Sequence, residues 1–155
     1  FSGLKGRYFS NPAPHVLSNG TILLAYRADD WSFKERVSVG RADHLCDIYV
    51  DLRKSPAVDA TGEDPFLWQD ERGHWHMLFH DMDKNHSVGG HAFSRDAITW
   101  TVSNVAPYDN IVDFTDGSKV PMGRRERPQL LLDQTGRPLY FSTGVEDYAD
   151  HTYTL

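Results

Sequence analysis

Three segments of this 155-residue chain repeat one pattern, and that pattern limits the folds open to it. They are NPAPHVLSNGTILLAY (11–26), DPFLWQDERGHWHMLF (64–79) and RPQLLLDQTGRPLYFS (127–142). Each runs from a polar residue into a proline, through an apolar-rich stretch, to a glycine eight places beyond the proline: Pro12 to Gly20, Pro65 to Gly73, Pro128 to Gly136. The prolines are 53 and then 63 positions apart. Self-similarity at such a period marks a repeat architecture. Proline suits the first residue of a strand, where no ladder donor is lost. Glycine suits a turn that needs positive φ, and SNG at 18–20 is the strongest of the three turn signals. Each segment therefore reads as a β-hairpin.

Further strand candidates lie between the hairpins: RVSVGRA (36–42), SVGGHAFS (87–94) and ITWTVSNV (98–105). That makes roughly four strands in each unit of about 50–60 residues, the size of a propeller blade. ADHLCDIYVDLRK (42–54) is the best helical candidate, yet Ile48, Tyr49 and Val50 lean it toward strand. The expected fold is all-β: a single partial β-propeller domain of four-stranded antiparallel blades, with blade-like units at about 11–60, 63–115 and 126–155. A β-sandwich whose turns coincide is the other all-β reading, and it gives no reason for three equal Pro-to-Gly spacings.

Charge narrows the partners. The net charge is −6, and the densest basic cluster, GRRER at 123–127, is short. Nucleic-acid binding calls for a wider basic footprint. No apolar run approaches the roughly 18 residues of a membrane span, and no signal-peptide pattern is visible. The expectation is a soluble chain that binds neither nucleic acid nor membrane. Cys46 is alone, so no internal disulfide forms and the compartment stays open. The chain opens on Phe1 and closes on HTYTL, which reads like a strand in progress, so a fragment of a longer protein is expected. Were the chain complete, its open sheet faces would favour self-association.

EDPFLWQDERGHWHMLF resembles the strand-turn-strand of five-bladed propeller glycosidases, the glycoside hydrolase family 43 group and the related family 32 fructosidases. RRERPQLLLD (124–133) resembles their next-blade motif, Glu-x-Pro followed by an apolar run. AFSRDAITW (92–100) resembles their Ser-x-Asp-Gly-x-x-Trp element, with Ala97 where glycine is usual. The resemblance implies an oligosaccharide or glycoside substrate and a set of three carboxylates. By position Asp64 would orient and tune, and Glu126 would be the general acid. The base or nucleophile has no counterpart, because Asn11 stands at the matching site. Five blades need roughly 250–300 residues, which fits a missing carboxylate in a blade outside this chain.

Glycosidic cleavage needs one carboxylic acid to protonate the leaving oxygen and a second carboxylate on the opposite face. Acids brought face to face by converging strands share a raised pKa between them. Glu63 and Asp64 should point to opposite faces of a strand, so only one of them should face the funnel. Asp64 also reads as an Asx-type turn residue, and Glu126 as one member of a surface ion pair with Arg124, Arg125 or Arg127. Arg125 and Arg127 are candidate substrate ligands through a planar guanidinium fork. Asn11, His80 and His91 join them near the proposed funnel, and Trp31 or Tyr108 could stack on a sugar ring.

Eight histidines invite a metal, but none is expected. HWH (74–76) has no third ligand at a fixed spacing, and a single cysteine rules out a thiolate zinc site. HDMDKNH (80–86) offers oxygen donors for a structural calcium ion but lacks the glycine and terminal Glu of a calcium loop. No phosphate loop or serine-hydrolase elbow is present, and no cofactor is expected. The rival to a glycosidase is a non-catalytic propeller that binds glycan or protein, since fold does not dictate activity.

Overall fold

The computed structural model describes residues 9–29, 34–53, 56–83 and 88–155. Trp31 lies outside the described residues. The described residues are all-β, built as antiparallel sheets of the propeller-blade kind. The first sheet runs β1 (Phe9–Val16), β2 (Ile22–Asp29), β3 (Glu35–Ala42) and β4 (Val50–Asp51), in that spatial order. The second repeats it with β5 (Gly62–Gln69), β6 (Trp75–Asp81), β7 (Val88–Ser94) and β8 (Thr101–Val102). A two-stranded ribbon, β9 (Ile111–Asp113) and β10 (Lys119–Pro121), precedes a three-stranded sheet of β11 (Arg124–Leu132), β12 (Pro138–Glu146) and β13 (Thr152–Thr154).

The three repeated segments are the β1–β2, β5–β6 and β11–β12 hairpins. Gly20, Gly73 and Gly136 all have positive φ, as the turn reading requires. The prolines sit elsewhere than expected. Each lies inside its strand, where the pairing register shifts: between Ser10 and Ala13, Glu63 and Phe66, and Glu126 and Gln129. A bulge tolerates proline because the extra residue makes no ladder bond. Of the segment 42–54, Ala42 ends β3, and among the described residues 43–53 no helix forms and only Val50–Asp51 pairs as strand.

Alternation gives the second sheet two unlike faces. Trp75, Met77, Phe79 and Ala92 turn toward the first sheet and meet Leu23, Ala25, Val37 and Val39 in one buried cluster. Phe79 and Met77 are fully buried there. The opposite face carries Trp68, His76, His80 and His91, and it lies beside β11. No helix among the described residues is long and apolar enough to cross a membrane.

Candidate functional site

The three bulges build the site. Asn11, Asp64 and Arg127 each precede the repeat proline, and each takes a left-handed backbone, with φ of 53°, 51° and 55°. Such a conformation costs a non-glycine residue on the order of 1–3 kcal/mol, and it clusters where a side chain must be aimed. Asn and Asp tolerate it best, and Arg does not. Strand alternation predicts that Glu63 and Asp64 diverge. The bulge between them and Phe66 breaks that alternation, and both carboxylates reach the same cluster.

In that cluster Glu63, Asp64, His80 and Glu126 each bring one polar atom within 4.8 Å of the others. Strands β5, β6 and β11 supply it, and β1 and β2 add partners. From β1, the Asn11 amide Nδ2 donates to Asp64 Oδ1. From β11, Arg127 Nη1 lies 2.9 Å from Glu126 Oε1, and its Nε lies 4.0 Å from Asp64 Oδ2. Arg124 Nη2 donates to Glu126 Oε2 at 2.7 Å. On β6, His80 is fully buried, with Nδ1 3.7 Å from Glu63 Oε1 and 3.9 Å from Glu126 Oε2. From β2, Arg27 donates to Glu63 Oε2 at 3.0 Å and also reaches Glu35 and Asp29. Three guanidinium groups thus face three carboxyl groups. The four converging atoms have the dimensions of a cation site, and guanidinium donors already engage Glu63 and Glu126.

The two neighbouring acids of β5 are pushed apart. Asp64 has its pKa raised, first by burial and then by the Glu63 charge, with Glu126 adding and Arg127 opposing. Its Oδ2 is buried and has no hydrogen-bond partner among the described residues. Glu63 has its pKa lowered, chiefly by the neighbouring His80 imidazole, and further by the charges of Arg27 and Arg124, against the opposing effect of burial.

The remaining candidates lie apart from this cluster. The His91 ring stacks on His76 at 5.4 Å and on Trp68 at 6.3 Å, and its Nε2 is 3.2 Å from His76 Nδ1. Arg125 directs Nε to Thr143 Oγ1 at 3.1 Å and Nη1 to the carbonyls of Asp109 and Ile111. Its donors hold β11 to the β9 region. Tyr108 is buried, so its ring offers no face to a sugar. Sequence reasoning missed Glu63, because the alternation rule assumes an unbroken strand. The proline inside that strand was the available signal.

Against known proteins, no family model and no curated protein matches the chain. Solved structures do match. A thermostable family-43 glycoside hydrolase aligns with a TM-score of 0.63 at 15% identity, covering 98% of this chain and 55% of that one. Fructan 1-exohydrolase IIa from Cichorium intybus aligns at 0.62 and 15%, covering 92% and 29%. A glycosyl hydrolase from Bacteroides ovatus aligns at 0.54 and 14%, covering 92% and 49%. The chain spans about half or less of the length of several of the solved structures it matches. At these identities the likeness is one of fold: the chain folds as part of the propeller found in glycoside hydrolases.

Proposed function

We propose that this chain forms part of a carbohydrate-active propeller that hydrolyses a glycosidic bond, with Asp64 and Glu126 at the reacting oxygen. The observation that carries the reading is Asp64 itself, a carboxyl group buried where three inner strands converge, with one oxygen unpartnered and its pKa raised. Titratable neighbours whose environments separate their pKa values mark acid and base roles. On β5 that separation makes Asp64 the better proton holder of the pair and Glu63 the more readily charged one. Asp64 is therefore favoured over Glu126 as the proton donor, since both oxygens of Glu126 already receive guanidinium donors.

The proton would pass to the leaving oxygen as the bond to the anomeric carbon breaks, and water would complete hydrolysis at that carbon. Carboxyl groups that act across a sugar ring stand about 5–9.5 Å apart. Asp64 and Glu126 come closer than that, which suits a donor and its modulator on one side of the bond. Structural neighbours fit a glycoside substrate; fructan 1-exohydrolase IIa has been solved with 1-kestose bound.

The test is turnover of a panel of aryl glycosides, and calorimetric binding of oligosaccharides, by the full-length protein and its Asp64→Asn and Glu126→Gln variants. Loss of general acid catalysis lowers kcat by about 10²–10⁴-fold, with binding kept. A second reading, a non-catalytic glycan-binding propeller, is favoured by Asn11, an amide at the place in β1 that Asp64 holds in β5. Sugar binding with no turnover in the parent protein would select it.

A further inference from the structure

Tyr108 sits at the junction of the second and third sheets. Its backbone carbonyl accepts from Gly89 N at 2.9 Å. Its ring covers Gly89 so closely that a Cβ there would stand 2.2 Å from Cε1. Gly89 pairs across the ladder with His80, and His80 pairs with Glu63. Paired residues share a face, so the Tyr108 ring stands in the row that leads through His80 to the acid cluster. Its other side is closed by Phe141, with ring centroids 5.2 Å apart, and by the Arg125 guanidinium, 5.4 Å from its centroid.

This packing would be served as well by phenylalanine. The hydroxyl is buried, and it has no hydrogen-bond partner among the described residues. A stranded buried hydroxyl is destabilising, so its presence calls for a role beyond filling space. Two complementary atoms are stranded in this region: an O–H donor on Tyr108 and the Oδ2 acceptor of Asp64. They sense one another, since the charges of Asp64 and Glu126 add to the effect of burial in raising the phenol's pKa.

We infer that Tyr108 is a positioning residue for Asp64, its O–H serving as the donor that reaches Asp64 Oδ2 through one water once that oxygen carries the negative charge. With Asp64 protonated, Oδ2 has little need of a donor. When the proton leaves, the new carboxylate is buried beside Glu63 and Glu126, with only Asn11 and Arg127 to oppose them and His80 behind. A phenol held rigidly by Gly89, Phe141 and Arg125 then supplies the missing bond. The inference rests on the proton-holding role proposed for Asp64, but its test does not require turnover.

The experiment is a carboxyl-carbon NMR titration of the full-length protein labelled at aspartate, comparing the parent with Tyr108→Phe. A hydrogen bond to the charged form favours that form, so its loss should move the Asp64 midpoint up by about one pH unit. Tyr108→Phe should melt no lower than the parent. An unchanged midpoint overturns the inference. As a second reading from the other partner, ring-labelled tyrosine NMR on Asp64→Asn should bring the Tyr108 titration down from its raised value by the part that Asp64 adds to burial; a fixed phenol titration overturns the inference equally. A shifted Asp64 midpoint in a protein that neither binds nor cleaves sugar leaves the Tyr108–Asp64 link standing and removes the glycosidase reading alone.

Discussion

The two faces of the second sheet solve different problems with the same three strands. Toward the first sheet, Trp75, Met77, Phe79 and Ala92 form a dry contact. Toward β11, Trp68, His76 and His91 stack as a column of rings, with His76 Nε2 3.3 Å from Asp70 Oδ2. That column stands on the same face as His80 and the acid cluster. Apolar burial holds the molecule together on one side. On the other, hydrogen bonds and ion pairs meet most of the buried polar groups, and Asp64 Oδ2 is left without a hydrogen-bond partner among the described residues. The dry face holds the core, and the wet face holds the acid cluster.

The widest expected gap between the faces comes from emptying the dry one. Phe79 is fully buried, and its ring closely fills the space beside Gly62 and Gly90. Phe79→Ala should cost about 3–5 kcal/mol, measured by urea unfolding, enough to unfold a marginal domain. A cost under about 1 kcal/mol would mean that this face is not the core.

The wet face should behave in the opposite way. Asp64 has a raised pKa, so between its unfolded and folded pKa values the folded state binds more protons, and stability falls as pH rises through that window. Asp64→Asn should therefore raise the melting temperature at neutral pH, with the gain shrinking below the ordinary carboxylate range. Asn also keeps the left-handed backbone and can still accept from Asn11. A variant less stable than the parent at pH 7 would erase the contrast between the faces.

His91 offers a smaller effect. Burial lowers its pKa, aided by His76. Its folded pKa thus lies below its unfolded one, and the stability it allows at neutral pH is lost as pH falls from the ordinary imidazole range toward the folded value. His91→Leu should cost about 1 kcal/mol at pH 7, through the lost contact with His76, and should flatten the acid side of a stability–pH curve. An unchanged curve would place its titration elsewhere.

Much of this division could be read before the structure. The hairpins were legible because proline and glycine each have one mechanical use at a turn or strand entry, and three copies at equal spacing leave little else. Asp64, Asn11, Arg127, Glu126 and His80 come together because the repeats align them. What alternation hides is the bulge, whose one mark in the sequence is the repeat proline. Alternation assumes a regular ladder, and the left-handed residues at 11, 64 and 127 break it, which is why Glu63 enters the cluster. The β9–β10 ribbon has three-residue strands with no periodic pattern to read, and TDGS at 115–118, where Gly117 has φ of +87°, is its one turn signal. Arg125 and Tyr108 were read by residue type alone, and tertiary packing decided both.

Ala97 is the smallest and sharpest probe of the dry face. It has φ of +60°, in a turn where Asp96 Oδ1 accepts from Ile98 N and Thr99 N, and Trp100 Nε1 donates to the Ala97 carbonyl. These backbone bonds, that to Thr99 first, hold the Asp96 carboxyl at about 2. Left-handed backbone explains why the resembling element carries glycine here. Yet Ala97 is buried in the cluster between the first two sheets. Ala97→Gly would relieve about 1–2 kcal/mol of strain, lose about 0.8 kcal/mol of methyl burial, and loosen the unfolded chain by about 0.4–1 kcal/mol. The terms nearly cancel, so the variant should unfold within about 0.5 kcal/mol of the parent. A clear gain would show that the methyl contributes little to the dry contact; a clear loss would show that packing on that face outweighs backbone strain.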